Sequence, residues 1–397
     1  MKFCLYTNGI SPHQLPLSEE VAARVGGENY NYIYTEGGSD KYRAIGWYDK
    51  IAVKTIQGKY QGQNSFVDNI LSSVDVLLSG IRDVTLFEKR SRNGYMTIYS
   101  SERWFKPAKG ILRLLNPRYF IMAWRFVNLL RTGGNVYYFP MGMHAAQDMA
   151  RLCGLFSGDI RCLFCNPRLA FARKPCGKIW QENGGDGKRY CLDKMRMWGY
   201  YVEPSRKDAL PVKEANKTKP QEIKVLWVGR LLNWKRVDTI VRAVGEHVNL
   251  KRVDNSLPKI TLDIYGTGPE ENRLKKMAAK YGDVIKFYPP VPIDEVRRLM
   301  REHDVYVLSS NAYEGWGAVV SEALEEGMNV IGTYEAGSSA TILSDENLFH
   351  AGDYKRLQAL LISCYNLDCS PLKSQSIGQW NAANGAIALC EFVSEAR

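Results

Sequence analysis

The stretch Glu314-Gly315-Trp316-Gly317-Ala318-Val319-Val320-Ser321-Glu322 places two carboxylates eight residues apart across a glycine-rich turn. Upstream, Val305-Tyr306-Val307-Leu308 is an apolar run of strand length, and residues 309–313 form its polar exit. Downstream, Ala318, Val319, Ala323 and Leu324 carry helical spacing, and Gly327 after Glu326 suits a helix end. Glu314 is therefore expected on a loop at the C-terminal end of a strand, and Glu322 about one turn into a helix. Gly315 and Gly317 admit close backbone approach and leave the first helical N–H groups available. With the positive helix terminus, those groups make an anion site suited to phosphate. Carboxylates on both sides of such a site suggest a ligand with hydroxyls flanking its phosphates, such as a nucleotide sugar. Taken alone, the run also fits an ordinary strand–loop–helix with surface glutamates.

Two earlier segments repeat the pattern. Residues 223–228, Ile-Lys-Val-Leu-Trp-Val, read as a buried strand that ends in Gly229-Arg230-Leu231-Leu232-Asn233-Trp234-Lys235. Val237, Ile240, Val241 and Val244 then mark a helix face. Arginine offers a planar fork for a diphosphate, and lysine a compact point charge beside it. Residues 261–265, Thr-Leu-Asp-Ile-Tyr, form a further strand running into Gly266-Thr267-Gly268-Pro269-Glu270 and another helix. Ligands of open α/β sheets bind at the carboxyl ends of strands, where all three motifs fall.

On Gly229-Arg230-x4-Lys235, Tyr265-Gly266-Thr267-Gly268-Pro269 and Glu314-x7-Glu322, the chain resembles the retaining GT-B glycosyltransferases of family 4, the glycosyl transferases group 1. The likeness is concentrated in residues 221–350. It implies an α/β fold of two Rossmann-like domains facing across a cleft, with a C-terminal helix crossing back to the first domain. It also implies a hexosyl-type transferase that uses a nucleotide-diphosphate sugar as co-substrate and no separate cofactor. Arg230 and Lys235 would bind the donor diphosphate, Glu314 the transferred sugar and Glu322 the ribose hydroxyls. The amides of Gly315, Gly317, Ala318 and Val319 would cradle the phosphate, with Gly229, Gly266 and Gly268 lining the donor site. Arg236 departs from the family, which commonly has glycine after its lysine.

Domain limits follow from the alternation of strand and helix. Residues 1–204 form a first domain, 205–220 a polar linker, 221–372 a second domain and 373–397 a last helix. The resemblance implies that the first binds the acceptor, the second the donor, and that the helix closes back on the first. In the first domain, Gly9, His13, Glu102 and Arg103 lie at strand ends and are the candidate acceptor residues. His13 and Glu102 are equally readable as a structural histidine and a salt-bridged glutamate. Residues 1–200 hold 28 Lys and Arg against 16 Asp and Glu, so the net +11 of the chain resides in this half. An anionic acceptor or an anionic membrane surface fits that asymmetry. From Arg103 to Phe126, cations alternate with large apolar residues, as in an interfacial helix or a core helix whose arginines reach solvent.

Other features are exclusions. No run of about 18 apolar residues exists, and the N-terminus enters a strand directly, so a cytoplasmic protein is expected, with attachment to the inner membrane face as the alternative that the basic segment adds. No nucleic-acid recognition motif accompanies the charge. Cys162 and Cys165 make half of a zinc pattern, but with Cys176 and Cys191 the spacing fits no common site, and reduced thiols are expected. No D-x-D sequence occurs, so no metal is expected to bridge the diphosphate. The acceptor is expected to be a glycan or glycolipid, such as a lipid-linked intermediate of surface polysaccharide. A GT-B nucleotide-sugar epimerase and a non-catalytic sugar-binding protein remain as alternatives.

Overall fold

Strands buried on both faces carry unbroken apolar runs, and such runs pair here into two parallel sheets. The computed structural model describes residues 1–11, 13–36, 52–157, 191–205, 222–366 and 379–397. They fall into two units, Met1–Glu203 with Gln379–Arg397, and Pro204–Gly378. Cys162, Cys165, Cys176 and the polar stretch 206–220 lie outside the described residues.

The first unit contains β1 (Phe3–Thr7), β2 (Tyr30–Tyr34), β3 (Thr55–Gln57), β4 (Val76–Ser79), β5 (Met96–Ser101) and β6 (Val136–Pro140), in the order β3-β2-β1-β4-β5-β6. The chain steps one way from β1 to β3, then crosses to the far side of β1 for β4. Strand order thus reverses between β1 and β4, where the exit loops diverge and leave a crevice. Helices cover the faces, each started by local chemistry. Ser65 caps Phe66–Ser73 by accepting the Asp68 N–H at 3.1 Å. Asp83 caps Val84–Arg92 through the Leu86 N–H at 3.0 Å.

The segment 103–126 is not one helix. Trp104 and Phe105 are buried in the core, Gly110–Leu115 forms a 3₁₀ turn, and the α-helix begins at Pro117. Asn116 sets that start by accepting the Arg118 and Tyr119 N–H groups at 3.0 and 3.3 Å. The closing helix begins at Ala382, where the Asn381 side chain caps it, and it packs against the helix Leu15–Val25 within the first unit. Its Phe392 meets the Tyr137 and Phe139 rings at 4.9 and 5.0 Å.

The second unit holds β7 (Glu222–Val228), β8 (Lys259–Tyr265), β9 (Ile285–Tyr288), β10 (Val305–Leu308), β11 (Asn329–Thr333) and β12 (Leu348–Phe349), in the order β12-β11-β10-β7-β8-β9. The reversal here lies between β7 and β10. Val237, Ile240, Val241 and Val244 are all buried on the helix Val237–Val253, the face their spacing indicates. Gly327 closes the helix Val319–Glu325 at φ 76°, its N–H bonded to Leu324 O and that of Met328 to Ala323 O, both at 3.0 Å. The preceding Glu326 is buried and paired with Arg297 and Arg301.

One buried cation supports the first unit. Arg90 is fully buried, and it donates to Leu71 O, Val74 O and Met96 O at 2.8, 2.8 and 2.6 Å and to Thr97 Oγ1 at 2.9 Å. Burial draws its guanidinium down to about 10, so it stays charged at neutral pH. Arg90→Met removes all four bonds and strands buried carbonyls, each costing about 1–3 kcal/mol when unsatisfied. Urea denaturation should show a loss of roughly 3 kcal/mol or more. A variant of unchanged midpoint would show that those carbonyls find other donors.

Candidate functional site

At the reversal of the second unit, the exit loops of β7 and β10 meet. The first carries Gly229, Arg230 and Lys235, and the second carries Glu314. The Lys235 ammonium is ion-paired with the Glu314 carboxylate, and Ser310 Oγ donates to the same oxygen at 2.6 Å. The loops are also joined through backbone, since Ser309 Oγ donates to Lys235 O at 2.7 Å and Asn311 N to Trp234 O at 2.9 Å. From β11, Thr333 Oγ1 donates to Ser310 O at 2.5 Å. Glu314 and Glu322 are only 8% and 7% exposed, so both carboxylates are buried and not on the outer surface. Tyr306 on β10 is buried beneath them. Burial, and then the Glu314 and Glu322 charges, push its phenol far up, and its hydroxyl reaches Val228 O at 3.3 Å. Arg230 is exposed and has no ion pair among the described residues.

The glycines of the Tyr265-Gly266-Thr267-Gly268 motif serve close packing. Gly266 has φ +150°, and a Cβ there would lie 1.8 Å from Gly229 O. A Cβ on Gly268 would lie 2.4 Å from Leu231 O. Leu231 N bonds to Thr267 O at 3.0 Å and Glu270 N to Leu231 O at 3.1 Å, locking the β7 and β8 exits together. Gly317 turns at φ +87° and its carbonyl accepts Ser338 Oγ at 2.9 Å. Ala318 and Val319 follow as the cap and first residue of the helix that carries Glu322. Gly315 is held by contact, its carbonyl standing where a Cβ on Gly337 would be, 2.2 Å away.

Arg236 takes up the left-handed conformation, φ +50° and ψ +40°, that glycine adopts without cost. Its guanidinium bonds to both Asp238 oxygens, at 3.1 and 3.2 Å, which offsets the strain and keeps the loop geometry.

In the first unit, Gly9, His13, Glu102 and Arg103 all line one cavity of about 450 Å³ at the C-terminal ends of β1, β4 and β5. Gly9 O accepts Thr7 Oγ1 at 2.8 Å and the Tyr32 hydroxyl at 3.2 Å. The His13 ring lies 5.8 Å from that of Tyr200, whose phenol is pushed up by burial and by the Glu102 charge. Arg103 is paired at 3.5 Å with the buried Asp148, whose carboxyl burial raises against the pull of that arginine. Arg82, Lys106 and Tyr200 also line the cavity, and the sequence reading does not single them out for this site. Arg82 lies in Ile81-Arg82-Asp83, a turn with no motif. Ser310 and Tyr306 are likewise missed as site residues, although Ser310 is the second residue past β10 in its exit loop, which is a usable signal.

The chain is similar in sequence and in fold to known proteins. Residues 210–376 match the family described as Glycosyl transferases group 1. An uncharacterized glycosyltransferase of Methanocaldococcus jannaschii is 29% identical over 137 residues, 34% of this chain and 33% of that protein. The GtfA subunit of the UDP-N-acetylglucosamine–peptide N-acetylglucosaminyltransferase of Streptococcus pneumoniae is 28% identical over 123 residues, 30% of this chain and 22% of that protein. The alignments thus span a third or less of these relatives. HepE of Anabaena, solved with UDP and glucose, superposes over 100% of both chains with TM-score 0.58 at 13% identity. A glycosyltransferase of Rickettsia africae superposes over 100% of this chain and 98% of that one, with TM-score 0.59 at 13% identity. The chain has the GT-B fold of the glycosyltransferases, and its second unit carries the region shared with the glycosyl transferases group 1.

Proposed function

We propose that this chain is a retaining, family 4 glycosyltransferase that moves a hexose-type sugar from a nucleotide-diphosphate sugar to an acceptor. The observation that carries the reading is the Lys235–Glu314 pair beside the exposed Arg230, at the strand-order reversal of the second unit. A cation fixed by a carboxylate and a second one left open suit a diphosphate with a sugar attached. Uridine diphosphate is the favoured nucleotide, because HepE was solved with UDP and the S. pneumoniae relative is named for a UDP-sugar.

In this reading Arg230 and Lys235 hold the diphosphate, and the amides of Gly317 to Val319 complete its cradle. Glu322 binds the ribose hydroxyls and Glu314 the sugar. The bond from the anomeric carbon to the diphosphate oxygen breaks, and the acceptor oxygen bonds to that carbon on the same face. The acceptor proton passes to the departing phosphate, giving nucleoside diphosphate and a glycoside of retained configuration. Fixed cations stabilise the charge that develops on the leaving group. The first unit's cavity, with Gly9, His13, Glu102 and Arg103, takes the acceptor, a glycan or glycolipid of surface polysaccharide synthesis.

An anionic membrane face is the proposed working place. Ile111, Leu112, Leu115, Ile121 and Trp124 are all exposed, Leu115 by 79%, with Lys109 and Arg118 exposed among them. None of the described helices is long and apolar enough to cross a membrane. Arg113 is not part of this surface charge. It donates to Trp104 O at 3.0 Å and lies over the Tyr119 ring at 4.7 Å.

Lys235→Ala should weaken nucleoside diphosphate binding by about 2–5 kcal/mol in calorimetry on folded protein. Glu322→Gln should weaken free nucleotide too, whereas Glu314→Gln should chiefly slow release of nucleoside diphosphate from the sugar donor. Equal loss of nucleotide affinity in both glutamate variants would contradict these roles, and binding without turnover or transfer would favour a non-catalytic protein. Activity should also survive EDTA, and a loss restored by magnesium or manganese would show a metal-bridged diphosphate. Finally, the protein should sediment with anionic vesicles and not neutral ones. Lys109→Gln with Arg118→Gln should weaken this by about 1 kcal/mol per charge. No preference for anionic lipid would remove the membrane from the account.

A further inference from the structure

The cavity of the first unit contains a cation on a built platform, with no ion-pair partner among the described residues. Arg82 sits in the turn between β4 and the helix Val84–Arg92, beside the strand-order reversal. Ser79 sets that turn, its Oγ donating to Ile81 O at 2.7 Å and accepting the Ile81 N–H at 3.1 Å. The Arg82 guanidinium lies 3.7 Å over the Trp104 ring, and its Nε donates to the Tyr99 hydroxyl at 2.8 Å. Both supports are buried, and Trp104 Nε1 is itself anchored to the Tyr138 hydroxyl at 3.1 Å. Asp83, the adjacent carboxylate, is occupied as a helix cap. Among the described residues no carboxylate lies within ion-pair distance of Arg82.

Its neighbours differ. Arg103 is matched by Asp148. Lys106 lines the same cavity, is exposed, and has no ion pair among the described residues. The cavity's own carboxylate, Glu102, acts on the Tyr200 phenol and makes no ion pair with Arg82. A half-buried guanidinium has given up part of its hydration, and a preorganised stack reduces what must be ordered when an anion arrives. Its Nη1 also points to Met122 Sδ at 3.9 Å and the guanidinium donates to the Tyr119 hydroxyl, and the N–H groups left over suit the oxygens of a phosphate.

We propose that Arg82, with Lys106 beside it, binds a phosphate group of the acceptor, so that the cavity selects a phosphorylated acceptor over a neutral glycan. This deepens the reading of the cavity as the acceptor site and rests on it. The phosphate can belong to a soluble sugar phosphate or to a lipid headgroup, and the chemistry of recognition is shared.

Calorimetry on the full chain with glucose 1-phosphate, and sedimentation with phosphatidylglycerol vesicles, test it. The variants are Arg82→Gln, Arg82→Lys, Lys106→Gln and the donor-site pair Arg230→Gln with Lys235→Gln. Arg82→Gln should lower affinity for at least one probe about tenfold or more, with a smaller loss in Lys106→Gln and Arg82→Lys. The donor-site pair should retain that binding. Loss confined to the sugar phosphate assigns a soluble acceptor, and loss confined to vesicles a lipid one. Both probes bound by Arg82→Gln as by the unaltered chain, or lost only in the donor-site pair, would overturn the proposal. If Arg82→Gln does not melt cooperatively, Lys106→Gln decides, and unchanged affinity for both probes there is equally fatal. Phosphate binding through Arg82 without release of nucleoside diphosphate from any donor would instead defeat the transferase reading, leaving Arg82 as a phosphate site and overturning its acceptor role.

Discussion

The ion pair between Lys235 and Glu314 organises the second unit, because it joins two exit loops 79 residues apart in sequence. Removing two charges from water is costly unless geometry and further hydrogen bonds compensate. Here Ser310 bonds the carboxylate and Trp234 places its ring 4.5 Å from the ammonium. The backbone is fixed as well, through Ser309 and Asn311. The cation is therefore held in place before any ligand arrives, which is the condition under which electrostatic stabilisation of a leaving group is most effective. The glycines behind it serve the same end, since side chains at Gly266 or Gly268 would drive the neighbouring loop away.

The two units apply one topological rule to different chemistry. Each reverses strand order once, and each collects its charged side chains where the exit loops part. In the second unit a lysine is neutralised by a glutamate and an arginine stays exposed. In the first, one arginine is matched by Asp148, while Arg82 rests on Trp104 and Tyr99 with no acidic partner among the described residues. The net positive charge of the first half is thus not only a diffuse surface property. Part of it is held on aromatic supports inside a cavity, and part lies among the exposed apolar residues that follow it.

Sequence reading reached the strands and exits because parallel strands read as short apolar runs and their turns need glycine. Residues 223–228 and 305–308 are clear for that reason, as is the helix face of Val237, Ile240, Val241 and Val244. Three-dimensional pairing was not legible. Nothing local tells that Lys235 meets Glu314, or that Tyr306 lies beneath both glutamates. Arg82 sits in a turn with no pattern, and its platform is made by Tyr99 and Trp104, which come from β5 and the loop beyond it. The alternation from Arg103 to Phe126 misled as a single helix, because Asn116 and Pro117 start a new one and Trp104 turns inward. Arg236 is legible as a departure from the family pattern, and Asp238, two residues on, supplies the contact that sustains its glycine-like backbone.

The central claim is that the Lys235–Glu314 corner receives the diphosphate of a nucleotide sugar. A crystal structure of the full chain grown with uridine diphosphate tests it most directly. The account predicts phosphate oxygens within hydrogen-bond distance of Lys235 Nζ and the Arg230 guanidinium, with the ribose hydroxyls at Glu322. A nucleotide bound elsewhere, with Lys235 contacting only Glu314, would contradict it.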